Sequence, residues 1–86
     1  MLQPHIQCEK VNPYVLLPGD PRRVERVASH LTDAKEKADN REFRTIEGSY
    51  QGMPVTVTST GIGGASAAIA LEELIQCGGK YFIRIG

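Results

Sequence analysis

The chain carries no net charge: ten Lys and Arg balance ten Asp and Glu. A global field that would gather nucleic acid or an anionic membrane is therefore excluded, and any anion site must be local. Cysteine is almost missing. Cys8 and Cys77 stand far apart, which is neither a disulfide framework nor a metal-ligand spacing. Two free thiols fit a reducing compartment, so a cytoplasmic location is expected. No apolar run approaches the ~20 residues that span a bilayer. Met1-Leu2-Gln3-Pro4-His5 lacks the basic and apolar regions of a signal peptide. There is no internal repeat and no low-complexity segment. Neither nucleic acid nor membrane is expected as a partner.

What is present is a globular composition, 41% hydrophobic over 86 residues, enough for one small domain. A chain of this length buries only ~60–65% of its unfolded surface and is marginal without support. Residues 14–17 read as a buried parallel strand. From Pro21, Val24, Val27, Ala28 and Leu31 fall on one helix face. Residues 32–40 are polar and read as a helix tail and loop. Residues 43–50, a turn at Gln51-Gly52, and the alternating Val55-Thr56-Val57-Thr58 read as an antiparallel hairpin. A second helix carries Ala67, Ala70, Leu71, Leu74 and Ile75 and stops at Gly78-Gly79. Residues 81–85 read as a last, buried strand. The order β-α-β-β-α-β predicts an α/β fold with a parallel or mixed sheet. A bare core strand is a poor terminus for a self-sufficient domain. The expectation is an N-terminal part of a longer fold, or a chain that depends on a partner.

In such sheets ligands lie beyond the carboxyl ends of the strands. Three segments converge there. Pro18-Gly19-Asp20-Pro21-Arg22-Arg23 ends a strand and starts a helix, with Asp20 as cap and Pro21 at the first helical position. Its arginines sit where the helix dipole disfavours cations, unless an anion is bound. Ser59-Thr60-Gly61-Ile62-Gly63-Gly64-Ala65-Ser66 gives a ligand close access to backbone N–H groups and a helix N-terminus. Arg84 is a charge inside an apolar strand. Gly19, Arg23 and Arg84 together suit an oxyanion such as phosphate.

Each signal also has an ordinary reading. Gly-Asp-Pro is a common turn. Arg84 pairs with Glu72 or Glu73 at the surface in the alternative. His5 alone is a surface histidine, Arg41 and Glu42 a solvated pair, and His30 a helix C-terminal residue. The glycine loop lacks the third glycine of the dinucleotide fingerprint, where Ser66 stands, and no Walker lysine follows. An unrelated nucleotide-binding domain is disfavoured on that ground. No nucleophile–base pair is evident.

Five ordered blocks carry a resemblance: Val15-Leu16-Leu17-Pro18-Gly19-Asp20-Pro21, Arg41-Glu42-Phe43, residues 59–66, Ile69-Ala70-Leu71-Glu72-Glu73-Leu74, and Ile83-Arg84-Ile85-Gly86. In this order they resemble the N-terminal third of the nucleoside phosphorylases, the family of uridine phosphorylases and hexameric purine nucleoside phosphorylases. The resemblance implies that residues 1–86 form the N-terminal, phosphate-binding portion of a single domain. That domain is a mixed-sheet α/β/α sandwich. It implies phosphate-dependent cleavage of a nucleoside to free base and pentose 1-phosphate: uridine to uracil and ribose 1-phosphate. A purine nucleoside is the alternative, and a phosphate-binding fragment without catalysis a further one. Arg41-Glu42-Phe43 and the glycine loop look like uridine phosphorylases, Pro4-His5-Ile6 like the purine enzymes.

Carried over by position, Gly19 donates its N–H to phosphate, and Arg23 and Arg84 hold phosphate from the same subunit. Arg41 reaches phosphate in a neighbouring subunit. His5 crosses the same interface to the sugar 5′-hydroxyl. Some members hold a potassium-like monovalent cation between subunits. The matching positions are Glu42, Ile62 through its carbonyl, and Ser66. No organic cofactor is implied, inorganic phosphate being the co-substrate. The implied assembly is a homo-oligomer, a hexamer built as a trimer of dimers. In the family, base-selecting segments and a phosphate-binding Thr or Ser follow the position of Gly86.

Overall fold

The computed structural model describes residues 3–8, 10–40, 42–61 and 63–85. The described residues form β1 (Tyr14–Pro18), α1 (Pro21–Ala28), β2 (Thr32–Asn40), β3 (Phe43–Tyr50), β4 (Met53–Thr58), α2 (Gly64–Gln76) and β5 (Tyr81–Ile85). The strands make one mixed sheet in the order β2-β3-β4-β1-β5. β1 runs parallel to β4 and β5, while β2, β3 and β4 are antiparallel. The expected α/β class with a mixed sheet is what forms.

Successive side chains of β1 point to opposite faces, and this divides the core. Val15 and Leu17 pack with Ile6, Phe43, Ala70, Leu74 and Cys77 on the α2 side. Leu16 packs with Val24, Ala28, Ile46, Val55 and Val57 on the α1 side. Helices on both faces give the α/β/α layering. Because β4 lies inside the sheet, its polar alternates are buried as well. Thr56 Oγ1 accepts from the Asn12 N–H at 2.9 Å, and Thr58 bonds Thr45, hydroxyl to hydroxyl, at 3.1 Å. These bonds offset the cost of burying hydroxyls.

α1 is shorter than its apolar periodicity. The helix ends at Ala28, and the N–H groups of His30 and Leu31 reach back only three residues, to the carbonyls of Val27 and Ala28. Leu31 still packs on the α1 side of the core. α2 ends as expected: Gly78 takes φ 108°, and the N–H groups of Gly78 and Gly79 close on the Ile75 and Leu74 carbonyls. That is a Schellman termination, which favours glycine because a Cβ is strained at this φ.

Two segments differ from their sequence reading. Residues 32–40 form β2, a strand rather than a helix tail and loop. β2 is an edge strand whose residues are exposed apart from half-buried Ala38 and Asn40. It therefore carries no buried alternation for a reader of the sequence to find. Its lysines, its two register shifts and the positive φ of Asp33 are devices that blunt an edge against further pairing. The second difference is β5, which is an edge strand and not buried. Tyr81 and Ile83 are each 58% exposed. α1 packs over β3, β4 and β1, so the β5 side of that face has no described helix over it. An apolar groove of about 300 Å³ lies there, lined by Leu16, Val27, Leu31, Val55 and Ile83 among others.

Candidate functional site

The parallel strands β1, β4 and β5 end at one edge of the sheet, where β1 and β4 each lead into a loop. Asp20 caps α1, its side chain accepting from the Arg22 N–H at 2.9 Å, with Pro21 opening the helix. This puts Arg23 in the first turn of α1. The Thr60 N–H donates to the Pro18 carbonyl at 3.0 Å. A Cβ on Gly19 would lie 3.5 Å from the Gly61 carbonyl oxygen. The Gly19 turn and the glycine loop are thus in contact. Register places Arg84 beside Leu17 and Ile85 beside Pro18, so Arg84 stands at the same edge. Gly19 and Arg84 thus lie at the same end of the sheet, with Arg23 in the first turn of the helix that follows Gly19. Arg23 and Arg84 are both exposed.

Arg84 is not the buried charge its apolar neighbours suggested, because β5 is an edge strand. Nor does it pair with Glu73, which is engaged elsewhere. Arg44 on β3 is a different kind of cation. Its guanidinium is held by Glu36 at 3.1 Å and by Glu25 at 3.4 Å. The hydrogen bond to Glu36, against the cost of burial, pushes its pKa further up. It joins α1 and β2 to β3, so its charge is already balanced by carboxylates.

The glycine loop is built for close approach. Gly61 takes φ 78°, and a Cβ there would meet Glu42 Cγ at 3.0 Å and Ser66 Cβ at 3.2 Å. Behind the loop, α2 begins at Gly64 with no side-chain cap and no acidic residue in its first turn. The carboxylate beside this helix start comes from Glu42, outside the helix, which accepts from the Ser66 hydroxyl at 2.9 Å. Gly61→Ala is expected to lower stability by about 1–2 kcal/mol through left-handed strain alone. Gly64→Ala, with open space around its Cβ, should be neutral or slightly stabilising. Urea midpoints check this, and equal midpoints for the two variants would contradict it.

Ser59 ties this loop to the β2–β3 connection. Its hydroxyl donates to the Glu42 carbonyl at 2.6 Å and accepts from the Arg44 N–H at 2.8 Å. Ser66 donates its hydroxyl to the Glu42 carboxylate at 2.9 Å. Beside this pair opens a cleft of about 520 Å³, lined by His5, Asn40, Glu42, Phe43, Ser66 and Ile69 among others. The structure therefore gathers His5, Glu42 and Ser66 around one cleft. Arg41, Ile62 and Gly86 lie outside the described residues. Among the described residues no group of three His, Cys, Asp or Glu is placed to hold a metal.

His5 is anchored rather than loose. Glu73, only 8% exposed, accepts from the N–H groups of His5 at 3.1 Å and Ile6 at 2.9 Å, and meets His5 Nδ1 at 2.7 Å. Asn40 donates its side-chain amide to the His5 carbonyl, and the ring stands edge-on to Phe43 at 5.9 Å. Burial alone would raise the Glu73 pKa, but the hydrogen bonds from Ile6 and His5 outweigh it and hold the carboxyl below its ordinary value. Glu73, Asn40 and Phe43 were not singled out for the cleft from sequence. A glutamate at a helix position four before Cys77 gives no local sign that it faces residue 5.

Both cysteines are buried free thiols, with Cys77 Sγ donating to the Cys8 carbonyl at 3.2 Å. Burial pushes both thiols up, so they stay protonated. No helix among the described residues is long and apolar enough to cross a membrane.

The uridine phosphorylase of Thermococcus kodakarensis is 54% identical over 87 residues, covering 99% of this chain and 31% of that protein. The crystal structure of uridine phosphorylase from Vibrio fischeri ES114 superposes with a TM-score of 0.96 at 44% identity, covering 98% of this chain and 36% of that one. Purine nucleoside phosphorylase from Toxoplasma gondii gives 0.93 at 45%, covering 96% and 34%. The chain thus spans about a third of the length of these proteins. Residues 13–86, which hold the Gly19 turn, the glycine loop and Arg84, match one family throughout, and the chain belongs to the phosphorylase superfamily.

Proposed function

We propose that this chain is the phosphate-binding portion of a nucleoside phosphorylase that cleaves uridine with inorganic phosphate, giving uracil and ribose 1-phosphate. The observation that carries the reading is the contact between the Gly19 turn and the Gly61 loop, with Arg23 and Arg84 at the same sheet edge. The Gly19 N–H donates to a phosphate oxygen, and the two guanidiniums hold the anion by charge-assisted hydrogen bonds. Arg41 of a neighbouring copy completes the set, and His5 reaches the sugar 5′-hydroxyl across that interface. Phosphate held below the anomeric carbon is both nucleophile and counter-charge to an oxocarbenium-like transition state. The C–O bond to phosphate forms as the C–N bond breaks, and the base leaves with the bonding electrons and takes up a proton. The reading requires a homo-oligomer, a hexamer of three dimers, acting in nucleoside salvage. Its buried free thiols suit the cytoplasm. Glu42 and Ser66 supply adjacent hard oxygen donors of the kind a potassium ion takes, which would hold the interface together.

The test is release of free base from uridine or inosine, with and without phosphate. Phosphate-dependent release from uridine is expected. Preferential release from inosine would favour the purine reading, which Pro4-His5-Ile6 supports. No release from folded protein would leave a phosphate pocket without catalysis. Arg84→Ala is expected to weaken phosphate binding about tenfold to a hundredfold, the loss of one charge-assisted contact. Unchanged phosphate affinity, measured calorimetrically, would contradict the assignment.

A further inference from the structure

We propose that Glu73 is the positioning residue for His5: its carboxylate holds the ring as the Nδ1–H tautomer, so that Nε2 offers a lone pair to a hydroxyl group entering the cleft. The identity of that hydroxyl as a sugar 5′-hydroxyl rests on the phosphorylase reading. The orientation of the ring does not.

The geometry fits this division of labour. One carboxylate oxygen takes both backbone N–H groups, His5 at 3.1 Å and Ile6 at 2.9 Å, and fixes the chain. The other faces Nδ1 at 2.7 Å and fixes the ring. An ionised carboxylate only accepts, so the proton on that contact belongs to Nδ1. Nε2 makes no hydrogen bond to a described residue, and His5 lines the cleft with Asn40, Glu42 and Ser66. Edge-on contact with Phe43 at 5.9 Å limits rotation of the ring. A carboxylate on one imidazole nitrogen sets what the other can do, the logic of orienting partners in catalytic and metal-bound histidines.

A purely structural Glu73 would only cap the two backbone N–H groups, and Glu73→Gln separates the cases. The amide oxygen still accepts from His5 and Ile6, but its NH₂ now faces Nδ1 and donates to it. The ring must then carry its proton on Nε2. Nitrogen-15 NMR of the His5 ring in this protein, at a pH where the imidazole is neutral, reads the tautomer without any activity. Nδ1–H in the wild type, switching to Nε2–H in Glu73→Gln, is the expected result. Nε2–H in the wild type would overturn the proposal, as would an unchanged tautomer in a folded variant. If the variant fails to fold, the wild-type spectrum alone decides. Absence of phosphorolysis in the wild type, with the tautomers as expected, would count against the functional reading and leave this one standing.

Discussion

Leu74→Ala should cost about 2–5 kcal/mol, the range for emptying a fully buried leucine site. Leu74 has no exposed surface and sits among Ile6, Val15, Ala70 and Cys77. Its neighbours come from the N-terminal segment, β1 and α2, so collapse into the cavity would need three elements to move together. A domain this small has only several kcal/mol to lose. Much of the chain should therefore be unfolded at room temperature. Ile75→Ala, one residue on and 55% exposed, should change little. Circular dichroism during urea titration distinguishes the two, and similar midpoints would show that α2 does not dock as described.

Glu73→Ala is expected to destabilise by roughly 2–4 kcal/mol, because the buried Ile6 N–H and the half-buried His5 N–H both lose their acceptor. Glu73→Gln keeps that acceptor and should cost much less. Acid supplies an independent check. Glu73 is held below its ordinary pKa in the folded chain, so the unfolded chain takes up this proton first as pH falls. Its contribution is complete above the ordinary carboxylate value of ~4.3 and declines below it. The contribution is gone once the folded carboxyl itself titrates. The stability gap between wild type and Glu73→Gln should therefore narrow across that acid range. A gap independent of pH there would contradict the bonding seen at Glu73.

Much of this was legible from local pattern. Asp20, Pro21 and Gly78-Gly79 marked helix ends because capping is decided by a few adjacent residues. Val24, Val27 and Ala28 marked the buried face of α1 because one covered face leaves a 3.6-residue signature. β2 left no such mark, since an exposed edge strand such as Thr32–Asn40 selects no buried side chains. β5 misled in the opposite direction. Its apolar run resembled a buried strand, yet it lies at the edge with Tyr81 and Ile83 exposed.

The same division holds at the candidate site. By itself the sequence determined the turn at Gly19, the glycine loop before α2, and the family whose ordered blocks they form. These depend on residues next to each other in the chain. Only the tertiary structure decided that Glu73 grips His5 across 68 positions, and that Glu42 bonds Ser66. It also decided that Arg44 is balanced by carboxylates while Arg84 stands exposed at the sheet edge. Such pairings depend on sheet order and on which helix covers which face. Those follow from packing the whole chain, where no short stretch carries the information.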